Sequence, residues 1–193
     1  MQDNISRVLA INISKGGIPK LPVDSIRITS AGLEGDGHNH AKHNTPFQAV
    51  CIQDLEKLEE FSQNGYPLSP GQAGENLTVE NLHVNNLPLG TILEFPGGVI
   101  LEISKVRKPC YVMDAIHPQL KEDAVGRHGM YAKVLQEGIV KANDSITVIK
   151  PASPQSLNGL IQEQSFAEAK VLAPIRITID QYRIQARSLL AGP

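Results

Sequence analysis

The chain has 193 residues, enough for one domain with a proper core and an appendage, and carries 18 basic against 20 acidic side chains, a balance that gives no reason to expect a nucleic acid or other polyanion as partner. Its two cysteines, Cys51 and Cys110, lack CxxC spacing, which excludes a disulfide framework and fits a reducing compartment. The first residues form no basic-then-apolar leader and no apolar run approaches the ~20 residues of a membrane helix, so a cytoplasmic protein without a membrane partner is expected.

Ile5 to Ile13 is rich in β-branched residues and predicts a first strand. It runs into Ser14-Lys15-Gly16-Gly17-Ile18-Pro19-Lys20, a glycine-rich turn between lysines. Backbone amides there, beside Lys15 and Lys20, suit a phosphate, although most such turns are plain solvated loops. Val23 to Thr29 alternates apolar and polar residues and predicts a second strand. The next segment, Gly32 to His43, crowds glycines, Asp36 and the histidines His38, His40 and His43 into one loop. Two readings stand: a metal site, or a rigid polar loop whose histidines donate hydrogen bonds to an anionic ligand. The histidine spacing is not a zinc signature and neither CxxC nor HExxH accompanies it, which favours the second.

Pro46 to Ile52 predicts a buried strand with Cys51 as a core residue. From Gln53 to Gln63, Leu55, Leu58 and Phe61 recur at helical spacing, with Asp54, Glu56, Glu59 and Glu60 on the other face. That is an amphipathic helix, closed by Gly65-Tyr66-Pro67. In the stretch Pro70 to Val79, glycines lead into Glu75-Asn76 and then a strand. Glu75 is a candidate general acid or base, and Asn76 can bind a ligand or brace the loop; both residue types also serve as simple turn formers. Thr91 to Phe95 and Val99 to Val106 flank Pro96-Gly97-Gly98 and predict a hairpin.

That hairpin delivers the chain to Arg107-Lys108-Pro109-Cys110. Pro109 fixes its own φ and biases Lys108 towards extended geometry, so Cys110 is held out at a strand end. Adjacent cations favour the thiolate, the form that attacks or ligates a soft metal. A half-buried structural cysteine is the bland alternative. Tyr111 to Glu122 is mixed, with Pro118 breaking any long helix. Val125 to Tyr131 is a second glycine-flanked basic segment, holding Arg127. Tyr131 to Val140 and Ser145 to Ile149 predict two closing strands. Many short strands, glycine turns and one clear helix describe a mainly β fold, a β-barrel with inserted helices over residues 1–150. Pro151-Ala152-Ser153-Pro154 is linker-like. Residues 151–193 are expected as a C-terminal appendage, helical in part, packing on the barrel or on a second copy in a homodimer.

Taken in order, Lys15-Gly-Gly-Ile-Pro-Lys20, Gly32-Leu-Glu-Gly-Asp-Gly-His38, Pro70-Gly-Gln-Ala-Gly-Glu-Asn-Leu-Thr-Val79, Arg107-Lys-Pro-Cys110 and Gly129-Met-Tyr-Ala-Lys-Val-Leu-Gln-Glu-Gly138 resemble a MOSC domain. This module is named after the C-terminal part of molybdenum cofactor sulfurases, and the resemblance spans residues 5 to 149. It implies a MOSC-type β-barrel whose loops hold the molybdenum cofactor (molybdopterin), a pterin with a phosphate tail. In relatives such as the mitochondrial amidoxime-reducing component the matching cysteine ligates molybdenum. Carried onto this chain, Cys110 becomes the metal ligand or sulfur carrier. Asp36, His38 and Glu75 join it as catalytic candidates, and Lys20, Asn76, Arg107, Arg127, Gly35 and Gly74 become the cofactor-binding candidates.

The activity so implied is reduction of a small N-hydroxylated substrate, a hydroxylamine or amidoxime, at a Cys110-ligated molybdenum. The alternative is a non-catalytic carrier of the cofactor or of persulfide sulfur. A third reading is a zinc hydrolase built on His38, His40 and His43. Many family members carry an arginine just before the apolar strand, where Gln48 stands here, which alters the expected anion contacts. The pyridoxal-phosphate desulfurase domain of full-length sulfurases and the flavin and iron–sulfur modules beside some relatives have no counterpart. Desulfuration by this chain alone is therefore not expected, and turnover calls for a separate electron-transfer or sulfur-donor protein.

Overall fold

A computed structural model describes residues 5–37 and 45–150, which belong to one compact unit, Met1–Ala152. The appendage expected over residues 151–193 lies outside the described residues, as do His38, His40 and His43. Eight strands form the main sheet: β1 (Arg7–Ile13), β2 (Leu21–Val23), β5 (Val50–Asp54), β6 (Leu77–Glu80), β7 (Ile92–Glu94), β8 (Ile100–Val106), β9 (Met130–Gln136) and β11 (Thr147–Ile149). Their order is β11-β7-β8-β9-β5-β6-β1-β2. A second sheet, in the order β10-β3-β4, is built from β3 (Ser25–Thr29), β4 (Gly32–Leu33) and β10 (Gly138–Lys141).

The fold is mainly β, with few helices, as the residues predict. The barrel, however, is not closed. β2 and β11 end the main sheet, and its curl is held by an isolated bridge between Arg7 and Ser145 and by the Ile146 N–H donating to Ser6 O (2.7 Å).

Three expected strands come out differently, each for a local reason. Pro46–Gln48 is a turn of 3₁₀ helix and the strand begins only at Val50, because Pro46 has no N–H to give a ladder and the Gln48 N–H folds back to Thr45 O (2.9 Å). Val23 to Thr29 splits at Asp24, so that β2 pairs with β1 while β3 pairs with β10. Tyr131 to Val140 breaks at Glu137, whose carboxylate is taken by the Ser30 N–H (3.0 Å), so β9 and β10 join different sheets. Gly138 crosses so close to Gly97 O that a Cβ would stand 2.5 Å from it.

The predicted helix appears as α1 (Leu55–Gln63), burying Leu58 and Phe61, each worth about 1.5–3 kcal/mol of apolar transfer. It starts two residues late because Gln53 and Asp54 belong to the parallel ladder of β5 with β6, for which α1 is the crossover. A short helix α2 (Leu120–Asp123) and a 3₁₀ turn (Tyr111–Ala115) fill the stretch between Cys110 and β9. Met113, Leu120 and Ala124 pack with Leu58, Phe61, Tyr66 and Leu68 in one cluster.

Register sorts the central strands into two faces. Ile52 stands beside Leu77 and Met130, and Leu77 beside Ile11, all almost fully buried: one face is apolar. The alternate residues are not. Cys51 pairs with Tyr131, Gln53 with Thr78, and Tyr131 with Lys105, while Asn12 Nδ2 donates to Thr78 Oγ1 at 3.1 Å. Side chains alternate across a strand, so Arg107, two residues past Lys105, continues that polar face.

Candidate functional site

The loops leaving this polar face are tied to one another over it. Asp36 Oδ1 accepts the Ser14 N–H (2.9 Å), and its Oδ2 accepts both Lys20 Nζ (2.5 Å) and Asn76 Nδ2 (2.8 Å). Three segments separate in sequence thus share one carboxylate, whose side chain is fully buried. Asn76 also exchanges bonds with β5: its N–H donates to Cys51 O (2.8 Å) and its Oδ1 accepts the Cys51 N–H (3.1 Å). The Lys20 N–H donates to Gly71 O (3.0 Å), and a side chain at Gly71 would run into the Lys20 carbonyl. Glycine is required there both for that approach and for φ +83°.

Glu75 is wholly buried. Its Oε1 accepts the Gly71 N–H (2.6 Å) and the Thr78 hydroxyl (2.8 Å), leaving Oε2 unpartnered among the described residues. Arg107 crosses from the β8 end towards this loop. Its backbone N–H donates to Gly129 O (3.2 Å), Nη2 donates to Ala73 O (2.7 Å), and Nη1 is buried without a partner among the described residues. A Cβ on Gly74 would stand 3.2 Å from Nη2 and 3.0 Å from Ile18 Cγ2, so Gly74 makes room for the guanidinium. Burial opposes the charge of Arg107, yet Cys51, Tyr131 and Glu75, with a hydrogen bond to the Tyr131 side chain, hold it above its ordinary range. The same burial pushes the Cys51 thiol up, against Arg107 and Lys20.

Cys110 sits just beyond, half-exposed, in extended geometry ahead of the 3₁₀ turn. Its carbonyl accepts the Met113 N–H (3.0 Å), and Met113 is anchored in the cluster with α1, so the thiol is held at a fixed rim. Tyr131 lies between the two thiols electrostatically, feeling both Cys51 and Cys110, and burial foremost pushes its hydroxyl up. Both cysteines are free. Among the described residues no three His, Cys, Asp or Glu side chains converge as a metal cage.

Of the residues singled out in the sequence, the structure joins Lys20, Asp36 and Asn76 directly, sets Gly74, Glu75 and Arg107 beside them, and puts Cys110 next along the chain. Gly35 adopts φ +80° with open space around its missing side chain, a turn former rather than a close approach. Arg127 is engaged elsewhere: Nη1 pairs with Glu60 (2.7 Å), the guanidinium donates to Asp123 O, and it lies 5.0 Å over the Phe61 ring. Its side chain braces α1 against the loop after α2. Gln48 is half-buried beside β5.

Sequence reasoning passed over Asn12, Gln53, Thr78, His128 and Tyr131. The signal was available: in Val50-Cys-Ile-Gln-Asp54 polar residues alternate with aliphatic ones, across the point where the predicted strand ends at Ile52 and the predicted helix begins at Gln53. His128 is 1% exposed, and burial, reinforced by Arg107, drives it down to about 2. It is a neutral imidazole. An unpartnered buried polar group costs about 1–3 kcal/mol, and this face carries several, which is how binding sites rather than cores are built.

The MOSC domain family model matches residues 36–147. The chain belongs to the MOSC domain family. Members of this family are associated with binding of the molybdenum cofactor. Among relatives of this MOSC chain, the uncharacterized protein YflK of Bacillus subtilis is 32% identical over 142 residues, covering 69% of this chain and 63% of that protein. A Gibberella moniliformis protein named as a reductase is 25% identical over 135 residues, 66% of this chain and 24% of its own length. The chain thus spans less than two thirds of either relative. Solved MOSC-fold neighbours include the YuaD protein of Bacillus subtilis (TM-score 0.64, 21% identity, 74% of this chain and 94% of that one). YiiM from Geobacillus stearothermophilus superposes with TM-score 0.63 at 25% identity, over 77% of each chain.

Proposed function

We propose that this MOSC protein binds the molybdenum cofactor with Cys110 as thiolate ligand and reduces small N-hydroxylated substrates, with electrons from a separate reductase protein. The observation that carries the reading is the pairing of a half-exposed thiol with a buried, partly unsatisfied guanidinium three residues before it. The donor set fits the group: a soft thiolate suits a metal already held by sulfur, and the positive charge of buried Arg107 suits an anionic pterin–dithiolene. When bound, the cofactor supplies two-electron, oxygen-transfer chemistry.

The chain's own residues do the rest. Asp36, shared by Lys20, Asn76 and Ser14, holds the loops in place and is already an acceptor for three donors, so it positions rather than reacts. Glu75 keeps one carboxylate oxygen for the interior and is the proton-bearing candidate on this face. Its other oxygen fixes it against Gly71 and Thr78. His38 remains a candidate shuttle on its chemistry alone.

The test is to purify the chain with the cofactor, measure molybdenum in wild type and Cys110→Ser, and assay reduction of a hydroxylated base with an artificial electron donor. Molybdenum lost in the serine variant together with wild-type turnover supports the reading. Full occupancy without turnover points instead to a carrier of the cofactor. One equivalent of zinc without molybdenum revives a hydrolase.

A further inference from the structure

The polar face holds more hydrogen-bonding groups than its loops satisfy. Asn12 Oδ1, Gln53 Oε1, Glu75 Oε2, Arg107 Nη1 and both ring nitrogens of His128 are buried without partners among the described residues. All five side chains are at most 9% exposed. They are also gathered. Thr78 is bonded by Asn12 and to Glu75, and it stands beside Gln53 in the β5–β6 ladder. Gln53 Nε2 donates to Arg127 O (3.2 Å), the residue before His128, and the Arg107 guanidinium is near enough to both to feel the charge of Glu75 and to disfavour protonation of His128.

The orphans are of both kinds. Asn12, Gln53 and Glu75 offer oxygens that accept; Arg107 offers an N–H that donates; neutral His128 offers one of each. No single anion or cation satisfies that mixture. Water does, because each molecule donates twice and accepts twice, and sites with two to four polar partners are where buried waters are found.

We propose that this face houses a string of internal waters running from Asn12 and Glu75 past Arg107 to His128 and Gln53. Arg107, three residues before the half-exposed Cys110, brings the string to the rim. Resting on the reductase reading, it is the proton supply. Reduction of an N–OH group to N–H breaks the N–O bond and releases the oxygen as water. It consumes two electrons, from the reductase partner, and two protons, which the string relays from bulk solvent by way of Glu75. Gln53 and His128 orient the waters and are positioning residues, not reacting ones.

A high-resolution crystal structure of the purified chain tests the string directly. Ordered waters about 3 Å from Arg107 Nη1, Gln53 Oε1 and a His128 nitrogen support it; the same atoms paired with one another, in a dry interior, overturn it. Gln53→Leu then tests the proton role in the cofactor-loaded protein. We expect kcat to fall about tenfold with KM within about twofold, a larger solvent isotope effect, and recovery in Gln53→Glu. An unchanged kcat and isotope effect in the leucine variant overturns the role while sparing the reductase reading. Ordered waters in a loaded protein that does not turn over support the string and defeat the reductase reading. Should Gln53→Leu fail to fold, His128→Leu against His128→Gln makes the same comparison.

Discussion

Asn76 Nδ2 donates to Asp36 Oδ2 at 2.8 Å across 40 residues of sequence, on the carboxylate oxygen that also takes Lys20 Nζ. One buried side chain therefore fixes three loops. Asp36→Asn keeps the shape but removes the charge, leaving Lys20, 12% exposed, beside a neutral amide. Breaking one side of a mostly buried pair costs about 3 kcal/mol, so urea unfolding should show a loss of that order. Lys20→Met placed on the same background should restore part of it. A loss no larger than the ~0.5 kcal/mol of an ordinary surface change would show that the carboxylate does not hold the loops.

Gly74 and Gly35 share nearly the same φ, +81° and +80°, but only Gly74 is crowded, by Arg107 and Ile18. Alanine at either position carries the left-handed backbone penalty of about 1 kcal/mol. Gly74→Ala should in addition push the guanidinium aside and reduce molybdenum content in cofactor-loaded protein; Gly35→Ala should not. Equal molybdenum content in both variants would argue against Arg107 as an anchor.

The two thiols should be distinguishable by alkylation. Cys110 is half-exposed and Cys51 is 4% exposed, with burial holding its thiol protonated. One equivalent of reagent should enter the native protein, and Cys110→Ser should abolish it; the second should enter only on unfolding. Rapid modification of Cys51 in the native state would contradict the packing of β5 against β9.

Arg127→Met should cost stability but not cofactor. Its partners are Glu60, the Asp123 carbonyl and the Phe61 ring, all on the α1–α2 side. An ion pair this open to solvent contributes little, so the loss should stay close to that of an ordinary surface change. A fall in molybdenum content at unchanged stability would place the side chain back among the cofactor contacts.

Acid stability should show two opposed slopes. Burial raises the Asp54 carboxyl to about 6, against the hydrogen bonds from Val84, and lowers His128 to about 2. For Asp54 the folded protein holds the proton longer than the unfolded chain does. Stability is therefore greatest below about pH 4 and falls by about 3 kcal/mol as pH rises to 6. For His128 the unfolded chain binds the proton first, so stability is full above pH 6.5 and falls by about 1.4 kcal/mol per unit below it. Between about pH 4 and 6 the two nearly cancel. His128→Gln should leave a profile that declines with rising pH, and Asp54→Asn one that declines with falling pH. Urea midpoints at unit pH steps decide; profiles parallel to wild type in both variants would refute the assignment.

The family, the mainly β fold, the hairpin before Arg107 and the amphipathic helix were legible because each has a local signature: glycine turns at fixed places, period-2 runs, and Leu55, Leu58 and Phe61 on one helical face. The polar face was not. Gln53 was read into the helix because its neighbours Leu55 and Leu58 carry the stronger periodicity, while its place in β5 depends on a parallel partner 25 residues later. Asn12 and Tyr131 are unremarkable in their own strands and acquire meaning only from register. Arg127 was grouped with the other cations by type; its actual partners on α1 are more than sixty residues away, and no local pattern announces them.

The two-faced character of β5 bears on how this chain can change over time. Val50 and Ile52 belong to the oily side of the sheet, whereas Cys51 and Gln53 belong to the polar one. Adding or deleting a single codon within that strand would turn both sets over at once, stranding aliphatics among amides and amides among aliphatics. Length variation among descendants should therefore collect in the connecting segments and spare these five positions, where only like-for-like replacement leaves both halves of the sheet intact.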